Sequence, residues 1–268
     1  GDVAVSRGGS AGMSPRFALK IDDHIHLPRE KRFYNERHFA EAAARYDFAT
    51  RAMSLGRDAA WKKALVAALP DIPSPLCIDV ACGTGDLTLA LAKRYPMGRI
   101  VGLDLTGAML DRARGRHPPR NVRLTRQDMG AMGIATESAD IVTGSYALRN
   151  APDLGPALDE IRRILKPGGV AAFLDFAKPA ARYLAGPEYW VLRTWCGFWG
   201  LALHANAEIH GYIASSLSVF PDRTQLRAFF AARGFELAAS RAFFLGIVEL
   251  LLFRKRPAPD VRRRNASP

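Results

Sequence analysis

CIDVACGTGDLTLALA, residues 77–92, runs from an apolar stretch through a glycine-rich turn into a helix-forming segment. Gly83 and Gly85 let the backbone come close to a ligand, and the helix start that follows presents free N–H groups. Beyond it, RIVGLDL (99–105) reads as a second strand ending on Asp104. A carboxylate at that position can accept hydrogen bonds from both hydroxyls of a ribose. Strand, turn, helix and strand in this order open a doubly wound α/β sheet.

Outward from this unit the apolar period keeps switching. Strands are predicted at 122–127, 140–148 and 170–176, and helices at 54–69, 86–95, 107–116 and 154–165. Pro70 and KPGG (166–169) punctuate the helix ends. FELAASRAFF (235–244) and GIVELLLFRK (246–255) read as a closing hairpin behind a helix at 223–233 that Gly234 ends. The expectation is a seven-stranded, mostly parallel sheet with helices on both faces. A helical cap over 36–70 precedes it, and an aromatic helical insertion at 183–215 interrupts it after the fifth strand. One domain over 17–255 is expected, with disordered ends at 1–16 and 256–268.

Of 268 residues 49% are hydrophobic, which excludes global disorder, and the formal charge is +12. RKRPAPDVRRRNASP (254–268) holds six basic residues against Asp260. Such a balance suits an anionic membrane surface, nucleic acid or an acidic metabolite. Nucleic acid is not expected, because neither an RNA-binding motif nor an NPPY-like tetrapeptide after the fourth strand is present. Peripheral contact with an anionic membrane through the basic tail, and a homodimer, are retained as partners. Cys77, Cys82 and Cys196 lack a CxxC spacing and read as reduced structural thiols of a cytoplasmic protein. AFFLGIVELLLF (242–253) is shorter than the roughly 20 residues of a spanning helix and carries Glu249. No signal-peptide core is visible. DDHIH (22–26) has no second ligand motif, so an exposed extended segment is expected there and no metal.

A dinucleotide site would place its pyrophosphate on the helix start after the turn. Here Asp86 stands there, with Asp79 just before the turn, and the third motif position is Thr88. Negative charge disfavours a pyrophosphate and favours a sulfonium and an ammonium. The implied cofactor is S-adenosyl-L-methionine, leaving as S-adenosyl-L-homocysteine, on Asp79, Ala81, Gly83, Gly85, Asp104 and Leu105. Asp128 with Met129 is placed to face the adenine, and Ser145 ends the fourth strand, where such sheets bind ligands. The expected fold is a Rossmann-like doubly wound sheet with this cofactor at the carboxyl ends of its strands.

YDFATRAMSLGRDAAWKK (46–63), DVACGTGDLT (79–88), SYALRN (145–150), LKPGG (165–169), LDFAKP (174–179) and YIASSLSVFPD (212–222) stand in one order and spacing. In these the chain resembles the UbiE/COQ5/MenG family of quinone-biosynthesis C-methyltransferases, which implies the Rossmann-like class I methyltransferase fold. The resemblance implies cofactor contacts at Thr84, Asp104, Asp128, Met129 and Ser145. It also implies that Arg149 and Asn150, with Asp86 nearby, help deprotonate a ring hydroxyl through water. Cys82 replaces the family's usual second glycine, and FLGIVELLLF lacks the family's C-terminal histidine.

C-methylation of an electron-rich ring needs alignment with the methyl donor and exclusion of water. Arg149 suits a developing phenolate because it stays charged and offers a planar fork. Tyr46, Tyr146, Tyr189, Trp190, His210 and Tyr212 are the candidate acceptor pocket, with His210 a further base. The expected acceptor is apolar: a prenylated quinol or a related specialised metabolite. Methyl transfer to O or N, or a cyclisation that binds the cofactor without methyl transfer, are the alternatives on the same fold.

Overall fold

The computed structural model describes residues 19–178 and 182–257. The segment 1–16 and residues 258–268 of the basic tail lie outside the described residues. Among the described residues seven strands form one sheet in the order β3-β2-β1-β4-β5-β7-β6. They are β1 (Leu76–Val80), β2 (Arg99–Asp104), β3 (Val122–Arg126), β4 (Ala139–Ser145), β5 (Leu165–Phe176), β6 (Phe235–Phe243) and β7 (Val248–Lys255). The first five are parallel, and β7 runs antiparallel to both β5 and β6. The chain reverses its direction of strand addition between β1 and β4, where such sheets open a crevice for ligands.

Alternation along the strands divides the core. Ile78, Val80, Val142 and Phe173 pack on one face with Leu158 and Ile161 of α6 (Leu154–Ile164). Cys77, Ile100 and Ile141 pack on the other with Leu87 and Leu91 of α4 (Asp86–Arg94) and Trp61 and Leu65 of α3 (Asp58–Ala68). The sheet sits between two apolar layers, which explains its continuous hydrophobic runs. At Gly102 a Cβ would meet Leu124 at 2.8 Å and the Cys82 sulfur at 3.0 Å, so a larger residue there would have to push these side chains aside where β2 passes under the turn.

Three elements differ from expectation. The N-terminal cap starts earlier, as α1 (Pro28–Ala42) and α2 (Tyr46–Met53) ahead of α3, with Pro28 at the first helical position. KPGG does not end a helix: α6 stops at Ile164, and these residues belong to β5, which shifts register against β4 between Ala139 and Ile141. The DDHIH segment is not extended but forms a 3-10 turn, Ile21–Asp23, followed by bends. The aromatic insertion is two packed helices, α7 (Arg182–His204) and α8 (Glu208–Val219), and α9 (Arg223–Ala232) follows behind a capping box at Asp222. Another α-helix, α5 (Gly107–Arg114), joins β2 to β3. Cys77, Cys82 and Cys196 are buried free thiols. Among the described residues no helix is long and apolar enough to cross a membrane, and no group of three or more His, Cys, Asp or Glu side chains could hold a metal ion.

Candidate active site

Two cavities meet at the carboxyl ends of the strands, and Tyr46 and Tyr146 line both. The first holds about 620 Å³ and is lined by Ala81, Gly83, Asp104, Leu105, Asp128, Met129 and Ser145 from the ends of the first four strands. The turn is built to aim Asp104. Its carboxylate accepts the Gly83 N–H and the Thr106 N–H, each at 2.8 Å. Burial raises its pKa, and these backbone donors work against that rise. Asp128 accepts the Gly130 N–H at 2.8 Å and meets Arg32 of α1 at 3.1 Å. Asp104 and Asp128, with the apolar Leu105, Met109 and Met129 in the same wall, suit a ligand that carries a ribose and a flat base. The residues present thus fit S-adenosyl-L-methionine.

Three of the turn's residues support the cavity without lining it. Asp79 is fully buried and accepts from Thr88 at 2.6 Å and Thr143 at 3.0 Å, with burial raising its pKa to about 6. It ties β1, α4 and β4 together. The Thr84 hydroxyl donates to Asp47 of α2 at 2.5 Å. Gly85, at φ 86°, is the left-handed residue from which α4 starts.

The second cavity holds about 720 Å³ and is mostly apolar, with Trp61, Phe176, Leu192, Cys196 and Ile247 in its wall. Arg149 stands in it, only 2% exposed. Its guanidinium donates to the Ser216 hydroxyl and lies 5.2 Å from the Tyr212 ring centre and 5.3 Å from that of Phe176. Its Nε lies 3.8 Å from Asp175 and makes no hydrogen bond among the described residues. Burial opposes its charge, but Tyr212 and Asp175 more than compensate, so its pKa stands above the ordinary guanidinium value. His210 lines the same wall with Nε2 buried and unpartnered among the described residues, and burial lowers its pKa to about 4. It is a neutral imidazole. Burial pushes the phenols of Tyr46 and Tyr146 far up, so both are neutral hydroxyls.

Four expected members of the acceptor side stand elsewhere. Asn150 lines the cofactor cavity, its amide donating to the Tyr146 carbonyl at 2.8 Å. Consecutive residues of the turn after β4 thus serve different cavities, Arg149 one and Asn150 the other. Asp86 lines neither cavity. It is ion-paired with Lys62 at 3.1 Å and with Arg116. Burial resists its ionisation, yet the two cations hold it below the ordinary carboxylate range, which makes it a poor base. It reaches the cavity wall only through a chain, with Lys62 to Asp58 at 2.8 Å and Asp58 to the Tyr146 hydroxyl at 2.7 Å. Trp190 is 67% exposed, and Tyr189 sits in a separate shallow depression with Glu188 and Ala214. Leu192 and Cys196, four apart on α7, are buried against the cavity with Trp195 at its edge, and that phase carries Trp190 outward.

Sequence reasoning missed what α1 brings. Asn35 and Phe39 wall the cofactor cavity and His38 the acceptor cavity. Asn35 donates to the Asn150 carbonyl at 2.7 Å, and Lys31 to the Arg149 carbonyl at 3.0 Å. The signal was Tyr34, Asn35, His38 and Ala42, buried along one face of a helix otherwise crowded with charge.

Residues 29–252 match the profile of the ubiE/COQ5 methyltransferase family. A demethylmenaquinone methyltransferase of Lactobacillus johnsonii is 32% identical over 203 residues, covering 74% of this chain and 83% of that protein. A 2-phytyl-1,4-naphtoquinone methyltransferase of Thermosynechococcus vestitus is 34% identical, covering 81% and 97%. Among solved structures, a chain from the complex of the Haloferax volcanii Trm112 methyltransferase activator with a methyltransferase superposes with a TM-score of 0.61. It is 18% identical, covering 81% of this chain and 97% of that one.

Proposed function

From the premise that the chain belongs to the ubiE/COQ5 methyltransferase family and is an S-adenosyl-L-methionine-dependent enzyme, we propose that it methylates a ring carbon of an apolar quinol. The relatives named for demethylmenaquinone and 2-phytyl-1,4-naphtoquinone support an acceptor with a naphthoquinol ring and a long hydrocarbon tail. The observation that carries the reading is Arg149, a buried cation whose Nε–H makes no hydrogen bond among the described residues, in a mostly apolar cavity.

When bound, the cofactor supplies an electrophilic methyl group. The chain's own residues prepare the acceptor. The aromatic wall takes the ring and keeps water away, so the ring need not compete with solvent as nucleophile. A hydroxyl beside the target carbon donates electrons far better once deprotonated. Arg149 stabilises that phenolate with a fixed planar fork and loses no charge at any working pH. His210, neutral and with Nε2 unclaimed, can accept a hydrogen bond from the acceptor hydroxyl and orient it, but burial, which lowers its pKa to about 4, leaves it too weak a base to keep the proton. Tyr46 and Tyr146, common to both cavities, mark where ring and methyl donor meet. The buried free thiols suit a reducing compartment, and the reading places the enzyme in the cytoplasm.

The test is incubation with methyl-labelled cofactor and a host extract, followed by mass spectrometry of apolar and polar fractions. A labelled quinone supports the reading, and label confined to a polar metabolite overturns it.

A further inference from the structure

The mouth of the acceptor cavity has an unusual rim. Trp195 lines the cavity and is also part of an exposed apolar face on α7. On that face Trp190, Phe198 and Leu201 stand out into solvent, each more than half exposed. Between Tyr189 and Leu203 the only charged residue is Arg193, whose guanidinium is tied to Glu208 at 2.6 Å. A helix side of this kind has a partner or a lipid phase to meet.

Two further segments continue the rim. The Trp195 indole N–H donates to the Met53 carbonyl at 3.0 Å, which joins α7 to the end of α2, where Leu55 is exposed. Across from it, Trp61 of α3 packs against Phe244, 5.9 Å between ring centres, in the β6–β7 hairpin tip. Phe244 and Ile247 line the cavity, whereas Leu245 between them is 106% exposed on a left-handed backbone at φ 56°. A leucine held fully outward on such a turn buries nothing within its own chain.

Charge selects the occupant. Residues 48–57, 189–203 and 237–248, the three rim segments, contain no aspartate or glutamate. Arg51 and Arg57 flank Leu55, are exposed, and make no ion pair among the described residues, and exposed Arg241 stands at the hairpin. Apolar tips among free arginines are complementary to an anionic lipid surface, the tips entering the acyl boundary and the arginines meeting headgroups. A second copy of the chain seated here would seal the mouth that the acceptor must enter.

We infer that the acceptor-cavity mouth, bounded by α7, the α2–α3 turn and the Leu245 hairpin tip, docks on an anionic membrane so that a lipid-dissolved acceptor enters directly. The inference rests on the apolar acceptor assigned above. It moves membrane contact from the basic tail to the cavity rim, where a long tail can remain in the bilayer while its ring reaches Arg149.

The experiment is co-sedimentation of the full chain with vesicles of equimolar phosphatidylglycerol and phosphatidylcholine, and with phosphatidylcholine alone. Binding is expected to the first, weakening with salt. Leu245→Ser and Phe198→Ser should each weaken it about tenfold, the loss of one buried large side chain. Both variants should keep wild-type S-adenosyl-L-homocysteine affinity by calorimetry, which shows that they fold, and wild-type turnover of a short-tailed water-soluble quinol. Absence of vesicle binding overturns the inference. So does binding that survives both substitutions but vanishes when 258–268 are removed, or a dimer in sedimentation velocity that Phe198→Ser dissociates. Vesicle binding at the rim with no methylation of any quinol would sink the acceptor assignment and leave the docking surface standing.

Discussion

The Tyr146 hydroxyl donates to Asp58 at 2.7 Å, so a residue at φ 57° at the end of β4 is held from the far side by the first turn of α3. Non-glycine residues leave the left-handed region unless the surroundings fix them there. Asp58 also meets Lys62, which passes the tie to Asp86. Tyr146→Phe should therefore lower unfolding stability by about 1–2 kcal/mol in urea titrations. Turnover should fall more than cofactor affinity, because the shared wall loosens. Unchanged stability would show that the bond does not hold the turn.

Arg149→Lys keeps the charge and removes the planar fork. S-adenosyl-L-homocysteine affinity should stay within about twofold while kcat/KM drops about 100-fold, the scale for losing one oxyanion donor. Calorimetry beside single-turnover kinetics separates the two. Loss of cofactor binding instead would make Arg149 a strut of the turn.

For Asp104→Asn the pattern reverses. The amide keeps one of the two backbone bonds and sets its NH2 against the other N–H, so the turn loosens while the acceptor facing the cofactor cavity loses its charge. Cofactor affinity should fall about 10- to 100-fold by calorimetry, with acceptor KM little changed. Undiminished affinity would remove Asp104 from the site.

Buried His210 and His38 set an acid limit. Burial lowers both pKa values, that of His210 from 6.5 to about 4 and that of His38 well below 6.5. The unfolded chain then binds protons that the folded one refuses, so stability is full above about pH 6.5 and falls toward pH 4. Thermal melts of His210→Gln should show a shallower decline over that window than the wild type. Parallel declines would mean that His210 takes up its proton in the fold.

The sheet was legible because buried parallel strands write continuous apolar runs and their ends carry turn residues. Asp104 and Ser145 were legible for the same reason, each being the last residue of its strand, and Asp128 because it stands two residues past the end of β3. Arg149 and Asn150 were not separable, because a turn sends adjacent side chains opposite ways and no period records it. Asp86 looked like a base until its partners appeared, and Lys62 and Arg116 lie 24 and 30 residues away. Trp190 was misplaced by the phase of one helix. The start of α1 stayed hidden because its charges surround all but one narrow buried strip.

α1 holds the carbonyls of Arg149 and Asn150 through Lys31 and Asn35, and Asn35 and Phe39 also wall the cofactor cavity. Cofactor affinity and the fastening of this segment are therefore one thermodynamic quantity seen from two ends. Whatever bound cofactor contributes to keeping residues 28–42 in place, those residues return in equal measure to its binding free energy. The N-terminal segment is in that sense a reporter: its resistance to proteolysis reads out how full the neighbouring cavity is.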